Sequence, residues 1–256
     1  MQEIAPGSIL QRMFFTKRVK AIKISSFCEI GSGNGVLSNI LLSKGLTGIG
    51  FDLNKSCCEN NNALNKEYIN NSKYKLSNSD FLTANDPAKY DFVFSCMVIE
   101  HLDKNMVFNY FDACKKQLNE NGTIAVFVPS SMKYWGIEDK IAGHFKRYEF
   151  QDFNQIAKQH NLTITYLSGL TYPVSNWLFT LSNKIISKNE GHKENLSMQE
   201  QTIQSGNRAV KFKTIYPRYF KLILNPITMF PFYVLQKISS KNSKSMVIYC
   251  EFKINK

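Results

Sequence analysis

Two hydrophobic periods alternate along the first two thirds of the chain. Short apolar runs of strand length recur at residues 26–30, 47–52, 74–80, 90–96, 123–128 and 162–167. Between them, residues 34–44, 55–66, 105–118 and 150–160 place apolar side chains at helical spacing. The run Tyr90-Asp91-Phe92-Val93-Phe94-Ser95-Cys96 is almost continuously apolar. Such a run suits a central strand whose two faces are both covered. Strand and helix in steady alternation predict a doubly wound α/β sheet. Ahead of it, residues 9–23 read as a basic amphipathic helix, with Leu10, Met13, Phe14 and Val19 near helical spacing.

The rhythm stops at Gly169. Residues 170–243 are aromatic, basic and punctuated by proline, and read as mostly helical. Their polar centre, 188–207, reads as a mobile connection. A last apolar run, 245–252, predicts one more strand, which must return to the same sheet. The predicted organisation is an N-terminal helical segment at 1–25, a core at 26–169 and 244–256, and a helical insert or lid at 170–243.

A chain of 256 residues can bury a sizeable core, and its hydrophobic content of 43% is ordinary for a globular protein. No apolar run reaches the ~20 residues of a membrane span. The longest candidate, 220–238, is interrupted by Asn225, Pro226, Pro231 and Gln236. The opening Met1-Gln2-Glu3 carries no signal-peptide pattern, and six cysteines lack C-x-x-C spacing. A cytoplasmic protein with reduced thiols is expected. The net charge of +12 is uneven: residues 151–256 hold 14 Lys and Arg against 5 Asp and Glu. That half suits an anionic partner or a peripheral contact with the inner membrane face. A solvated Lys-rich surface explains it equally well.

The sequence Cys28-Glu29-Ile30-Gly31-Ser32-Gly33-Asn34-Gly35 joins the first strand to the first helix of that alternation. Glycines there permit a sharp turn and close approach of backbone to a ligand. The spacing is G-x-G-x-G, with an acid two positions ahead, rather than the dinucleotide pattern G-x-G-x-x-G. It resembles motif I of the class I S-adenosylmethionine (SAM) dependent methyltransferases. That resemblance implies a seven-stranded Rossmann-like sheet whose last strand is antiparallel. It also implies SAM as cofactor. Gly31, Ser32, Gly33 and Gly35 then approach its methionyl and ribose end, and Glu29 sits beneath the methionyl amine. Asp52, 17 residues after the last glycine, accepts the ribose hydroxyls, with Leu53 beside it. Asp80 and Phe81 border the adenine. Each such acid is alternatively a plain helix cap.

Met97-Val98-Ile99-Glu100-His101 resembles the Glu-His segment of the type 11 and ubiquinone-biosynthesis groups. Some relatives hold a divalent metal there with Glu-x-x-Glu-His. Met97 replaces the first acid, and a thioether is a poor ligand for a hard cation, so no metal is expected. A reduced set of Glu100, His101 and a later histidine is the open alternative. Ser95 and Met97 are expected to line the cofactor. Gly143-His144-Phe145-Lys146-Arg147-Tyr148 resembles the G-H-x-R-R-Y segment of bacterial small-molecule methyltransferases. His144 is the candidate general base, since imidazole exchanges protons near neutral pH. Pinning the next helix is its alternative role. Asp139, Arg147, Tyr148 and Trp135 are the candidate substrate residues. The expected activity is methyl transfer to an oxygen or nitrogen of a small-molecule, glycan or lipid-linked acceptor. A nucleic-acid methyltransferase and a non-catalytic partner subunit are the alternatives, although no N-P-P-Y type motif is present.

Overall fold

The computed structural model describes residues 5–84, 86–205 and 210–255. One seven-stranded sheet organises them. Strands β1 (Ser26–Ile30), β2 (Thr47–Phe51), β3 (Tyr74–Ser77), β4 (Tyr90–Cys96), β5 (Leu118–Pro129), β6 (Leu162–Leu170) and β7 (Val247–Ile254) take the spatial order 3-2-1-4-5-7-6. β1 to β5 pair in parallel, and β7 runs antiparallel to both β5 and β6. The alternation of strand and helix predicted the doubly wound sheet, and the methyltransferase resemblance implied its seven strands and antiparallel last strand.

Alternation within strands builds two cores, one on each face. Cys28, Val93, Ile124 and Val126 enter one layer, and Phe27, Phe92, Phe94 and Phe127 enter the other. The crossover helices are α2 (Val36–Leu42), α3 (Lys55–Leu64), α4 (Lys66–Asn70), α5 (Lys104–Lys116) and α7 (Phe150–His160), with the short α6 (Ile137–Ala142) after β5. The helix expected over 55–66 is in fact two. Asn65 separates them, because its buried amide leaves the helix surface to bond the carbonyl of Gly35 at 3.1 Å.

The N-terminal helix α1 (Pro6–Arg18) is no appendage. Phe14 packs 5.0 Å from the Tyr249 ring and Phe15 5.3 Å from Phe94. Arg18 donates to both oxygens of the buried Glu251 at 2.7 and 2.6 Å. The helix therefore seals one face of the sheet, and its N-terminal end reaches the cleft described below.

Between β6 and β7 lie α8 (Val174–Glu190), α9 (Met198–Ser205) and α10 (Phe230–Ile238). The polar centre of this insert, read from composition as a connection over 188–207, contains regular turns as far as residue 205, and residues 206 and 207 lie outside the described residues. Residues Gly191–Asn195 form a 3-10 turn, and α9 packs on α6, where the αL glycine Gly143 lets the α9 backbone approach. No described helix is long and apolar enough to cross a membrane. All six cysteines are free thiols.

Candidate active site

A cleft of about 690 Å³ opens at the carboxyl ends of β1, β2 and β4, bounded by the N-terminal end of α1 and by the insert. Ligands of open α/β sheets bind at this edge, where strand order reverses. The glycine turn forms its floor. Gly31, Gly33 and Gly35 all sit at positive φ, +68°, +50° and +75°. L-residues with a Cβ avoid that region, so glycine is demanded by the backbone itself. Space adds a second demand at two of the three. A Cβ on Gly31 would lie 2.4 Å from Val98, and one on Gly35 2.1 Å from the Asn61 amide, whereas one on Gly33 meets nothing within 4 Å.

Asp52, at the exit of β2, ties the turn to the cleft wall. Its Oδ2 accepts the Gly33 amide at 2.7 Å and its Oδ1 the Asn54 amide at 2.8 Å. Leu53 stands at the mouth, well exposed. Asp80 accepts the Leu82 amide at 2.9 Å, so it caps a local turn while still facing the cleft. Phe81 is buried beside it, edge-on to Phe51 at 5.6 Å. Met97 lines the cleft with an unusual backbone for a side-chain-bearing residue, φ +57°. Gly31, Gly33, Asp52, Leu53, Asp80 and Phe81 are thus gathered on one wall.

Other expected cofactor residues stand behind that wall. Glu29 is fully buried and accepts a hydrogen bond from Ser38 Oγ, and burial pushes its carboxyl up to about 8. Ser32 accepts from the Asn61 amide at 3.1 Å. Gly35 opens α2. Ser95 differs most from expectation: its hydroxyl is buried and accepts from Tyr110 Oη at 2.7 Å, so it does not reach the cleft. The strand pleat explains this, because Ser95 and Cys96 point to opposite faces and Cys96 takes the lining position.

On the opposite side, Asp139 is the centre of a polar cluster. It is fully buried; its Oδ1 meets His144 Nδ1 at 2.9 Å and accepts Arg147 Nε at 2.8 Å, and its Oδ2 accepts the Gly136 amide at 2.8 Å. Burial alone raises a carboxyl, but the bonds from His144 and Arg147 outweigh it and hold Asp139 below the usual range. His144 and Arg147 both line the cleft, whereas Asp139 holds them from beneath. Tyr148 is buried, donating to the Ile99 carbonyl at 3.1 Å, and Trp135 lies outside the cleft. Neither is a wall residue: the backbone of Tyr148 pairs with Pro129 and Ser131, and Trp135 closes the 3-10 turn after β5.

Three groups converge beside His144. The His101 ring lies edge-on to it, 4.6 Å away. Ligand atoms of Glu100, His101 and His144 all fall within 4.8 Å of one another. Among the described residues, neither carboxylate oxygen of Glu100 has a hydrogen-bond partner, nor does His101 Nδ1. Burial pushes Glu100 up to about 7 and His101 down to about 3, so His101 is a neutral imidazole. A neutral imidazole, a second imidazole and a carboxylate form a donor set able to hold a divalent cation.

Several lining groups carried no signal in the sequence. Ser8 and Gln11 enter from α1, and the Glu138–Lys213 ion pair, 2.9 Å, joins α6 to the insert across the cleft. Only the packing of distant segments reveals them.

Comparison with known proteins agrees with this architecture. A family profile described as a methyltransferase domain matches residues 3–167. A SAM-dependent methyltransferase from Clostridium acetobutylicum ATCC 824 superposes with a TM-score of 0.55 at 12% identity, covering 99% of this chain and 93% of its own. The N-methyltransferase NodS from Bradyrhizobium japonicum WM9 gives 0.52 at 15% identity, covering 63% of this chain and 88% of its own. The pyocyanin biosynthetic protein PhzM gives 0.51 at 14% identity over 62% of this chain; the match spans only about half, 52%, of PhzM. No curated protein matches the sequence. With the profile covering well over half the chain and the 3-2-1-4-5-7-6 sheet in place, the protein belongs to the class I SAM-dependent methyltransferases.

Proposed function

We propose that this enzyme moves the methyl group of SAM to an oxygen of a small-molecule, glycan or lipid-linked acceptor, with His144 taking the acceptor proton. Nitrogen acceptors fit the same geometry when the amine arrives unprotonated. The observation that carries the reading is the Asp139–His144 pair at the cleft, Oδ1 to Nδ1 at 2.9 Å. Asp139 occupies Nδ1 and leaves Nε2 as the nitrogen for a substrate proton, the arrangement of an oriented general base. In this reading the amides of the Gly31–Gly33 turn meet the methionyl and ribose end. Asp52 accepts the ribose hydroxyls, and Asp80, Phe81, Leu53 and Met97 border the adenosine. Glu29, Ser32, Gly35 and Ser95 shape the site from behind. Arg147 faces the acceptor, and Asp139, Tyr148 and Trp135 support that end.

The acceptor oxygen attacks the methyl carbon in line with the breaking carbon–sulfur bond. The sulfur keeps the bonding electrons and leaves as the thioether of S-adenosylhomocysteine (SAH). His144 Nε2 receives the proton. Positioning supplies most of the acceleration, and the base about 10²–10⁴-fold. The test is His144→Ala against labelled methyl transfer to a panel of hydroxyl acceptors. Transfer falls by that factor while SAH affinity, read by calorimetry, stays within about twofold. Full transfer by His144→Ala overturns the base role, whereas lower thermal stability with normal turnover identifies a helix-pinning role.

One observation favours a second reading, in which His144 ligates a divalent cation together with Glu100 and His101. It is the pair of unpartnered Glu100 oxygens next to the unpartnered His101 Nδ1. A buried carboxylate without a partner costs several kcal/mol unless it is protonated or paired. Met97 in place of a first acid argues for the metal-free site. Manganese binding followed by paramagnetic resonance separates the two, and Glu100→Gln must abolish any signal that arises here.

A further inference from the structure

Helix α10 buries Tyr233 and Gln236 but leaves most of its apolar side chains facing out. Its buried side chains include the polar Gln236, whose Oε1 accepts the Thr171 amide at 2.7 Å, while Phe230, Val234, Leu235 and Ile238 face outward. Ile238 is 77% exposed. The residues leading into the helix continue the pattern: Leu222, Ile223 and Ile227 are exposed by 80%, 62% and 85%. Phe230 N bonds Ile227 O at 3.2 Å, which ties the two stretches together. On α8, the exposed Trp177 packs edge-on to Phe232, at 6.3 Å, so the apolar surface spans both helices. A contiguous apolar patch rarely faces water on a soluble monomer without a partner.

The same stretch is basic throughout. Residues 201–250 contain eight Lys and Arg and no Asp or Glu. Arg218, Lys221, Lys237, Lys241 and Lys244 are all exposed among the apolar side chains. Lys17 of α1 adds its ammonium, 4.2 Å from the Tyr233 ring centre. Lysine is depleted at the buried centre of protein–protein interfaces. Lysine interleaved with exposed Leu, Ile, Phe and Trp instead matches a surface lying in the headgroup region of a bilayer. There the apolar groups enter the acyl boundary and the ammonium groups reach the phosphates.

The cleft meets this face. Leu178 and Leu181 of α8 line the cleft and are also exposed. Phe212 and Tyr216 line it as well, packing 6.0 and 5.5 Å from Phe220, beside the exposed Tyr219. We propose that the face formed by residues 218–241 and the outer side of α8 docks on an anionic bilayer surface, so that an acceptor with an apolar chain enters the cleft past Leu178 and Leu181. Docking itself does not depend on the reaction. The delivery of an acceptor rests on the methyltransferase reading above.

Co-sedimentation with vesicles tests it. The wild-type chain binds vesicles of mixed phosphatidylglycerol and phosphatidylcholine at least about tenfold more tightly than phosphatidylcholine alone, and high salt weakens the binding. The exposed-site variant Leu222→Glu/Ile227→Glu/Ile238→Glu loses about tenfold or more of that affinity, while its SAH affinity by calorimetry is unchanged, showing an intact fold. Lys221→Gln/Lys237→Gln/Lys241→Gln weakens binding to the anionic vesicles and leaves binding to phosphatidylcholine alone as it was. Wild type that stays in solution with anionic vesicles overturns the proposal, as does a triple-Glu variant that sediments like wild type. A second copy is the occupant instead if the wild type dimerises, ignores vesicles and becomes monomeric in the triple-Glu variant. Loss of SAH binding by the wild type defeats the methyltransferase reading and leaves the docking result standing.

Discussion

Alanine placed separately at Gly33 and Gly35 distinguishes strain from packing in the glycine turn. Both positions hold a left-handed backbone, φ +50° and +75°. An L side chain there costs about 1–2 kcal/mol. At Gly33 a new Cβ meets nothing within 4 Å, so this strain is the whole stability cost. At Gly35 it would stand 2.1 Å from Asn61 Oδ1 and 2.5 Å from Asn65 Nδ2. Neither neighbour can yield cheaply. Both asparagines are fully buried, Asn65 donates to Asn61 Oδ1 at 2.8 Å, and Asn65 also donates to the Gly35 carbonyl at 3.1 Å. Overpacking adds about 1–3 kcal/mol and a buried polar group left unpaired about 1–3 more, so Gly35→Ala loses about 3–8 kcal/mol. That approaches the whole stability of a typical domain. Urea unfolding reads these differences. SAH calorimetry reads a separate effect at Gly33, because that variant folds and, in the binding mode proposed above, its new Cβ enters the open space left for the cofactor. Its affinity falls at least about tenfold, or about 1.4 kcal/mol. Equal unfolding midpoints for the two variants, or wild-type SAH affinity in Gly33→Ala, refute this account of the turn.

Asp52→Ala weakens SAH binding by about 1–3 kcal/mol through lost charge-assisted hydrogen bonds. Because Asp52 also accepts the Gly33 amide, the melting temperature falls too, and a variant that melts lower yet binds SAH normally sinks the ribose assignment. Glu29 is held near pKa 8 in the fold against about 4.5 when unfolded, so the native state keeps a proton that the unfolded chain releases. Its contribution is complete below about pH 4.5 and is lost as pH rises through about 8, so the melting temperature declines across that window. Glu29→Gln flattens the decline, leaving the smaller slope due to Glu100 below about pH 7; an unchanged profile shows that Glu29 does not titrate this way.

Local chemistry determined the framework. The apolar runs at β1 and β4, the helical spacing between strands, and glycines where the backbone must turn left-handed all act over a few residues. They can be read without knowing what packs against them. Asp52 follows directly on β2, and that position brings it to the ligand edge of a parallel sheet; Asp80 ends an apolar run in the sequence, but β3 stops at Ser77 and a turn carries Asp80 to the same edge. The seventh strand was legible as an apolar run, and the family resemblance supplied its direction.

What distant segments do to one another was not legible. The sequence places Ser95 and Cys96 side by side, but only the pleat in its sheet decides that Ser95 turns to Tyr110 and Cys96 to the cleft. Asn61 and Asn65 look like polar surface residues until the glycine turn is packed over them. Glu100, His101 and His144 converge only because the loops after β4 and β5 meet, and burial then strips both Glu100 oxygens of partners. The insert shows the limit most plainly. Composition alone made residues 188–207 a loose connection, and only the tertiary structure sets helix α9, Met198–Ser205, against α6 within that span. In α10 the polar Gln236 is buried beside Tyr233 and accepts the Thr171 amide, while Phe230, Leu235 and Ile238 stay exposed, a division that composition does not show. Sequence sets periods and turns over one or two turns of chain. Burial, and with it the chemistry of each side chain, belongs to the whole packed molecule.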